Sequence, residues 1–73
     1  MRMETYFLIA DTYTLEEQSH IGYGIGCRAD NSNFEDLTTD PVAVTNLISI
    51  CNKLKLSPIH LADVVEDFLV DAQ

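Results

Sequence analysis

The run His20-Ile21-Gly22-Tyr23-Gly24-Ile25-Gly26-Cys27-Arg28 gives the clearest structural signal in the chain. Successive side chains of a β-strand point to opposite faces, so this strict alternation predicts a strand. One face carries Ile21, Tyr23, Ile25 and Cys27. The other carries three glycines between His20 and Arg28. The apolar face must be covered by other elements of the fold.

The segments on either side of this run predict two further strands. Residues 5–14 are rich in aromatic and β-branched side chains, which favour strands. Residues 34–38 predict a short third strand, with Phe34 and Asp36 on one face and Glu35 and Leu37 on the other. Polar turn residues separate the three segments. Because the connections are short, we expect an antiparallel meander with strands at about 5–14, 20–28 and 34–38.

The second half of the chain predicts two amphipathic helices, at about 41–55 and 58–71. Asp40-Pro41 and Ser57-Pro58 each pair a capping residue with a proline at the first helical position. The predicted fold class is therefore α+β, a single domain over residues 1–73 in the order βββαα, with both helices on one sheet face. We expect a core built from both layers: Ile21, Tyr23, Ile25, Leu47, Ile48, Cys51, Leu61, Val65 and Phe68.

The second face of the sheet has no predicted element to cover it. It would carry the glycines and one parity of the first strand, either Tyr6, Leu8 and Ala10 or Phe7, Ile9 and Tyr13. Aromatic side chains folded over the glycines, or a second copy of the chain, could fill this space. We expect a homodimer joined through the open sheet face or a sheet edge. The expected interaction residues are Tyr6, Leu8, Gly22, Gly24 and Gly26.

The charge balance excludes some partners and favours others. The chain has 12 acidic and 4 Lys or Arg residues, a formal net charge of −8. Four cations are too few for a phosphate-binding face, so we expect no direct nucleic-acid binding. There is no apolar run near 20 residues and no secretory pattern, so we expect a cytoplasmic protein with no membrane association. In that compartment Cys27 and Cys51 are expected to be free thiols, with a disulfide as the alternative.

Motifs for catalysis and cofactor binding are missing from the sequence. Gly22 to Gly26 reads GxGxG inside a strand pattern, which lacks the strand-to-helix context of a dinucleotide site. No serine lies in a nucleophile elbow. We therefore expect no enzymatic activity and no cofactor. The weak metal candidates are His60, Asp63 and Asp67, which would share one helical stripe, although a solvated acidic face explains that stripe equally simply.

The helix corner Leu56-Ser57-Pro58-Ile59-His60-Leu61 and the acidic amphipathic helix after it carry a resemblance to a known family. With Tyr23-Gly24-Ile25 and residues 37–40, they resemble a family of short uncharacterised proteins, a domain of unknown function from clostridia and related Gram-positive anaerobes. The resemblance spans nearly the whole chain. It implies a bacterial, cytosolic, stand-alone protein and lends no activity, ligand or catalytic residue.

Three functional hypotheses follow from these observations. The first is a small cytosolic protein–protein interaction module that self-associates. The second is an acidic inhibitor or nucleic-acid mimic that binds a basic, nucleic-acid-binding protein, because a charge of −8 attracts cationic surfaces. The third is a weak binder of a divalent metal or small ligand through His60 and Asp63.

Overall fold

The computed structural model describes residues 4–71 and has one three-stranded antiparallel sheet in the order β1-β2-β3, followed by the helices. The strands are β1 (Tyr6–Leu15), β2 (Gln18–Cys27) and β3 (Asn33–Thr38). The helices are α1 (Pro41–Lys53) and α2 (Leu61–Asp71), and a single 3₁₀ turn (Pro58–His60) leads into α2. The predicted α+β class and βββαα order are confirmed.

The β1–β2 hairpin is longer and more regular than its sequence suggests. Its ladder runs without a break from the pair Tyr6 and Cys27 to the pair Leu15 and Gln18. The turn between the strands has only two residues, Glu16 and Glu17, with φ of 52° and 67°. Two positive φ values in a two-residue loop define a type I′ turn, whose twist matches that of the strands. Glutamate is a poor residue for this conformation, so the sequence predicted a wider turn and a later start for β2.

β3 pairs with β2 through a bulge. Thr38 lies opposite Tyr23 and Phe34 lies opposite Ile25, so the three residues of β3 between these pairs face the single residue Gly24 of β2. Asp36 lies inside this bulge with a φ of 52°. The bulge bends β3 and places Asp36 Oδ1 beside Gly22, while Phe34 and Leu37 pack against the core.

α1 begins and ends with clear capping. The Asp40 side chain accepts a hydrogen bond from the Val42 amide at 3.0 Å, and Pro41 is the first helical residue, as predicted. At the other end the chain reverses through Lys55, whose φ is 53°, and the Leu56 amide donates to the Cys51 carbonyl at 3.0 Å. The second helical start lies where it was predicted, with Ser57 as N-cap and Pro58 in the first turn. The Ser57 side chain makes no capping bond, however, and a 3₁₀ turn precedes α2, which begins at Leu61.

The helices cover only part of one sheet face. The core contains Tyr6, Ile25, Cys27, Val44, Cys51, Leu61 and Val65. Ile21 was predicted in the core but is 53% exposed, and Phe68 is half-buried. A ten-residue strand spans about 33 Å, whereas the 13-residue α1 spans about 20 Å. The strands therefore extend past the helical layer, and Ile21 lies on the part that extends.

The strained hairpin turn gives a direct test of this fold. Replacing both residues as Glu16→Asn/Glu17→Gly should raise the free energy of unfolding by about 1–2 kcal/mol, because these residues adopt positive φ readily. Urea denaturation followed by circular dichroism measures the change. The matched control, Glu16→Gln/Glu17→Gln, removes the same two charges but keeps side chains that resist positive φ. Equal stabilisation by both variants would mean that charge, not backbone strain, limits the turn.

Candidate interaction surface

The contact that ties the helical layer to the sheet lies at the start of β1. The Tyr6 amide donates to Asn52 Oδ1 at 2.9 Å, and Asn52 Nδ2 donates to the Tyr6 carbonyl at 3.0 Å. The Asn52 amide thus pairs with the strand as another strand would. The Tyr6 hydroxyl also donates to the Leu56 carbonyl, just beyond α1.

The backbone of β1 beyond Tyr6 forms an open sheet edge. The Arg28 amide donates to the Thr5 carbonyl at 2.8 Å. The backbone N–H and C=O groups of Thr5 therefore point toward β2, and those of Tyr6 point away from it. Backbone groups alternate along an antiparallel strand, so those of Leu8, Ala10, Thr12 and Thr14 also point away from β2. The Thr12 amide accordingly bonds to its neighbour, the Asp11 carboxylate, at 2.8 Å. Such an edge is a template for another strand.

We call the part of the β1–β2 hairpin beyond the Tyr6–Cys27 pair the distal hairpin. The side of it that faces the helical layer, the helix side, is exposed and carries no charge. The register places six exposed side chains together there: Leu8, Ala10, Thr12, Thr14, Ser19 and Ile21. Leu8 and Ile21 are 44% and 53% exposed. We call these six residues the uncovered face. Since the chain has a net charge of −8, a continuous surface without acids is the part on which another acidic molecule meets least repulsion.

The glycine face, by contrast, is filled by the chain itself. A side chain at Gly26 would collide with the Phe7 ring, and one at Gly22 would collide with Asp36. At Gly24 the obstacle is the Phe34 carbonyl of the bulged β3. The glycines therefore serve close packing. Aromatic rings of β1 lie over two of them, Phe7 at Gly26 and Tyr13 at Gly22, whereas the backbone of β3 fills the space at Gly24.

The predicted interaction residues do not share one surface. Tyr6 is 1% exposed and belongs to the core, and Leu8 lies on the helix side with it. Gly22, Gly24 and Gly26 lie on the opposite side and are buried. Only Leu8 of the five is available on the distal hairpin. The open question of strand parity is thereby resolved: Phe7, Ile9 and Tyr13 lie beside the glycines.

A polar cluster on the glycine face holds β3 to the hairpin. His20 Nε2 lies 3.0 Å from Asp36 Oδ1, and the His20 and Tyr13 rings stack with centroids 5.8 Å apart. The Tyr13 hydroxyl donates to Glu35 at 3.4 Å. Partial desolvation, followed by the Glu35 carboxylate, raises the pKa of Tyr13. A histidine oriented by a carboxylate can act as a general base, but here the pair is exposed and fixes the bulge.

A groove of about 480 Å³ lies at the opposite end, between the start of β1 and the turn after α1. Asn52, Lys55 and Pro58 are among its lining residues. Cys51 also lines it but is 3% exposed, and burial raises the pKa of its thiol, which keeps the sulfur protonated and unreactive. Both cysteines are free in the structure.

The weak metal candidates do not come together as a site. His60 lies in the 3₁₀ turn rather than on the α2 stripe, and Asp63 and Asp67 are exposed on α2. Within residues 4–71, no group of three or more His, Cys, Asp or Glu side chains has a geometry that could hold a metal ion. Over the same residues, neither helix has the length and apolar content to cross a bilayer.

Comparison with known proteins identifies a family whose function is unknown. The chain matches the model described as "Family of unknown function (DUF6514)" over residues 2–71, and it belongs to this family. No curated protein and no solved structure gives a significant match.

Asn52 can be tested as the anchor of the helical layer. Asn52→Ala should lower the free energy of unfolding by about 1–3 kcal/mol, because it leaves the Tyr6 amide and carbonyl without partners. Chemical denaturation measures this loss. Asn46→Ala, on the exposed side of the same helix, is the control and should change stability little. A similar small effect at Asn52 would show that the two hydrogen bonds do not anchor α1.

Proposed function

We propose that this chain is a small cytoplasmic protein-interaction module that associates with itself. The observation that carries the proposal is the distal hairpin, where an open backbone edge adjoins the uncharged uncovered face. Exposed apolar surface beside an unpaired strand edge is typical of protein contacts. The two buried free thiols are in keeping with a reducing compartment.

The size of the chain supports the same proposal. A domain of 73 residues buries only a little over about 60% of its unfolded surface, so its stability is limited. Association stabilises a protein whenever the partner binds only the folded state. Covering Leu8 and Ile21 would add apolar burial that the two helices do not reach.

Light scattering at micromolar concentration tests self-association. The wild-type chain of 8.2 kDa should show twice its monomer mass. Ile21→Lys should weaken the dimer at least about tenfold, because it buries an unpaired charge on the uncovered face. This substitution makes the net charge less negative, so greater overall repulsion cannot explain a loss of dimer.

The matched control is Ile59→Lys. Ile59 is an exposed isoleucine outside the sheet, at 79% exposure, and its replacement adds the same charge and should leave the dimer intact. Equal weakening by both variants would show that the uncovered face is not the contact. A wild-type monomer at every concentration would exclude self-association.

A second candidate is binding to a basic protein. One observation favours it: among residues 4–71, Asp36 beside His20 is the one carboxylate within 4.0 Å of a basic side chain. Such carboxylates are free to meet lysines of a partner. Fluorescence anisotropy with a labelled oligolysine peptide separates the two functions, since binding by charge alone weakens as salt rises and responds equally to Ile21→Lys and Ile59→Lys, which add the same charge.

A further inference from the structure

We infer that β1 pairs antiparallel with β1 of a second copy, with Thr12 on the twofold axis. This inference rests on the proposed function, because it specifies how the module would meet itself. The pairing would produce a six-stranded sheet in the order β3-β2-β1-β1-β2-β3. A twofold axis perpendicular to the sheet keeps both helical layers on the same side.

β1 is the less protected of the two sheet edges. Proteins usually protect an edge strand with lysine, proline, a bulge or short length. β1 has ten residues, pairs evenly with β2, and contains neither lysine nor proline. β3 has six residues, carries Glu35 and Asp36, and is bulged. A strand added at β1 could therefore form a regular series of backbone hydrogen bonds with it.

The position of Asn52 restricts the register. If Ala10 were on the axis, Thr14 of the second copy would lie opposite Tyr6, whose backbone groups already bind Asn52. If Asp11 were on the axis, two Asp11 carboxylates would face each other across the closest type of pair, which is destabilising. An axis nearer the turn would shorten the pairing.

With Thr12 on the axis, neither conflict arises, and the Thr12 amide exchanges its local bond to the Asp11 carboxylate for one to the second copy. Leu8 lies opposite Glu16 of the second copy, where that strand ends, so the whole free edge is used. Asp11 lies opposite Tyr13 of the second copy instead of opposite another carboxylate. Ala10 and Thr14 exchange backbone hydrogen bonds, as two copies of Thr12 do.

The same arrangement supplies a cover for the uncovered face. Antiparallel pairing brings the turn of one hairpin beside the start of the other β1, where Asn52 holds the end of α1. Ile50 and Leu54, four residues apart at that end of the helix, are exposed. Both residues lie on the same side of the sheet as the uncovered face. In the paired dimer, Ile50 and Leu54 of each copy would therefore lie near the uncovered face of the other copy.

Disulfide trapping tests the register. The proteins D11C and Y13C are made separately, checked for folding by circular dichroism, mixed, and oxidised with copper phenanthroline. Residues 11 and 13 of opposing copies form a pair with Cα atoms about 4.5 Å apart, a distance that a disulfide spans. The mixture should crosslink about half of its chains or more, because random exchange places half in mixed dimers and trapping draws in further chains. Neither protein alone should crosslink.

Each other outcome has a definite meaning. Crosslinking of D11C alone would place Asp11 on the axis, and crosslinking of Y13C alone would place Tyr13 there; either result overturns the proposed register. A dimer by light scattering without any crosslink would overturn edge pairing but leave self-association standing. A monomer by light scattering would overturn both. The wild-type chain, with its two buried cysteines, is the oxidation control.

Discussion

The two hydrogen bonds between the Asn52 side chain and the Tyr6 backbone determine where the helical layer lies on the sheet. They use the outward backbone groups of one β1 residue and bring the end of α1 to that edge. The core follows from this placement, because Tyr6, Cys51 and Ile25 then meet beneath the helices. Fixing α1 at the start of β1 also leaves the other end of the hairpin without a cover.

The extended hairpin is therefore a consequence of unequal lengths, not of loose packing. The strands are longer than α1, and their ladder of paired residues remains regular up to the two-residue turn. On the glycine side, Phe7, Asp36 and the Phe34 carbonyl fill the space beside the glycines. On the helix side, by contrast, Ile21 is 53% exposed. This asymmetry makes the helix side, rather than the glycine side, the surface through which the chain is proposed to associate.

Local patterns in the sequence predicted the elements but not their relative placement. Alternation identified β2, and the Asp40-Pro41 pair located the start of α1, because both signals act within a few residues. The sequence has no signal for the Asn52 contact, which joins residues 46 positions apart. Local patterns alone therefore predict Tyr6 as an interaction residue and Ile21 as a core residue. No local pattern predicts the positive φ of Asp36, which lies within the bulge.

Amide hydrogen exchange measured over a range of protein concentrations tests the central claim most directly. The amides of Ala10 and Thr14 point to the open edge and should exchange quickly in dilute solution and more slowly as concentration rises, because a second β1 then accepts their hydrogen bonds. The Tyr6 amide should stay protected throughout by Asn52. Exchange at both edge amides that is independent of concentration, in a sample that light scattering shows to be dimeric, would contradict association through β1.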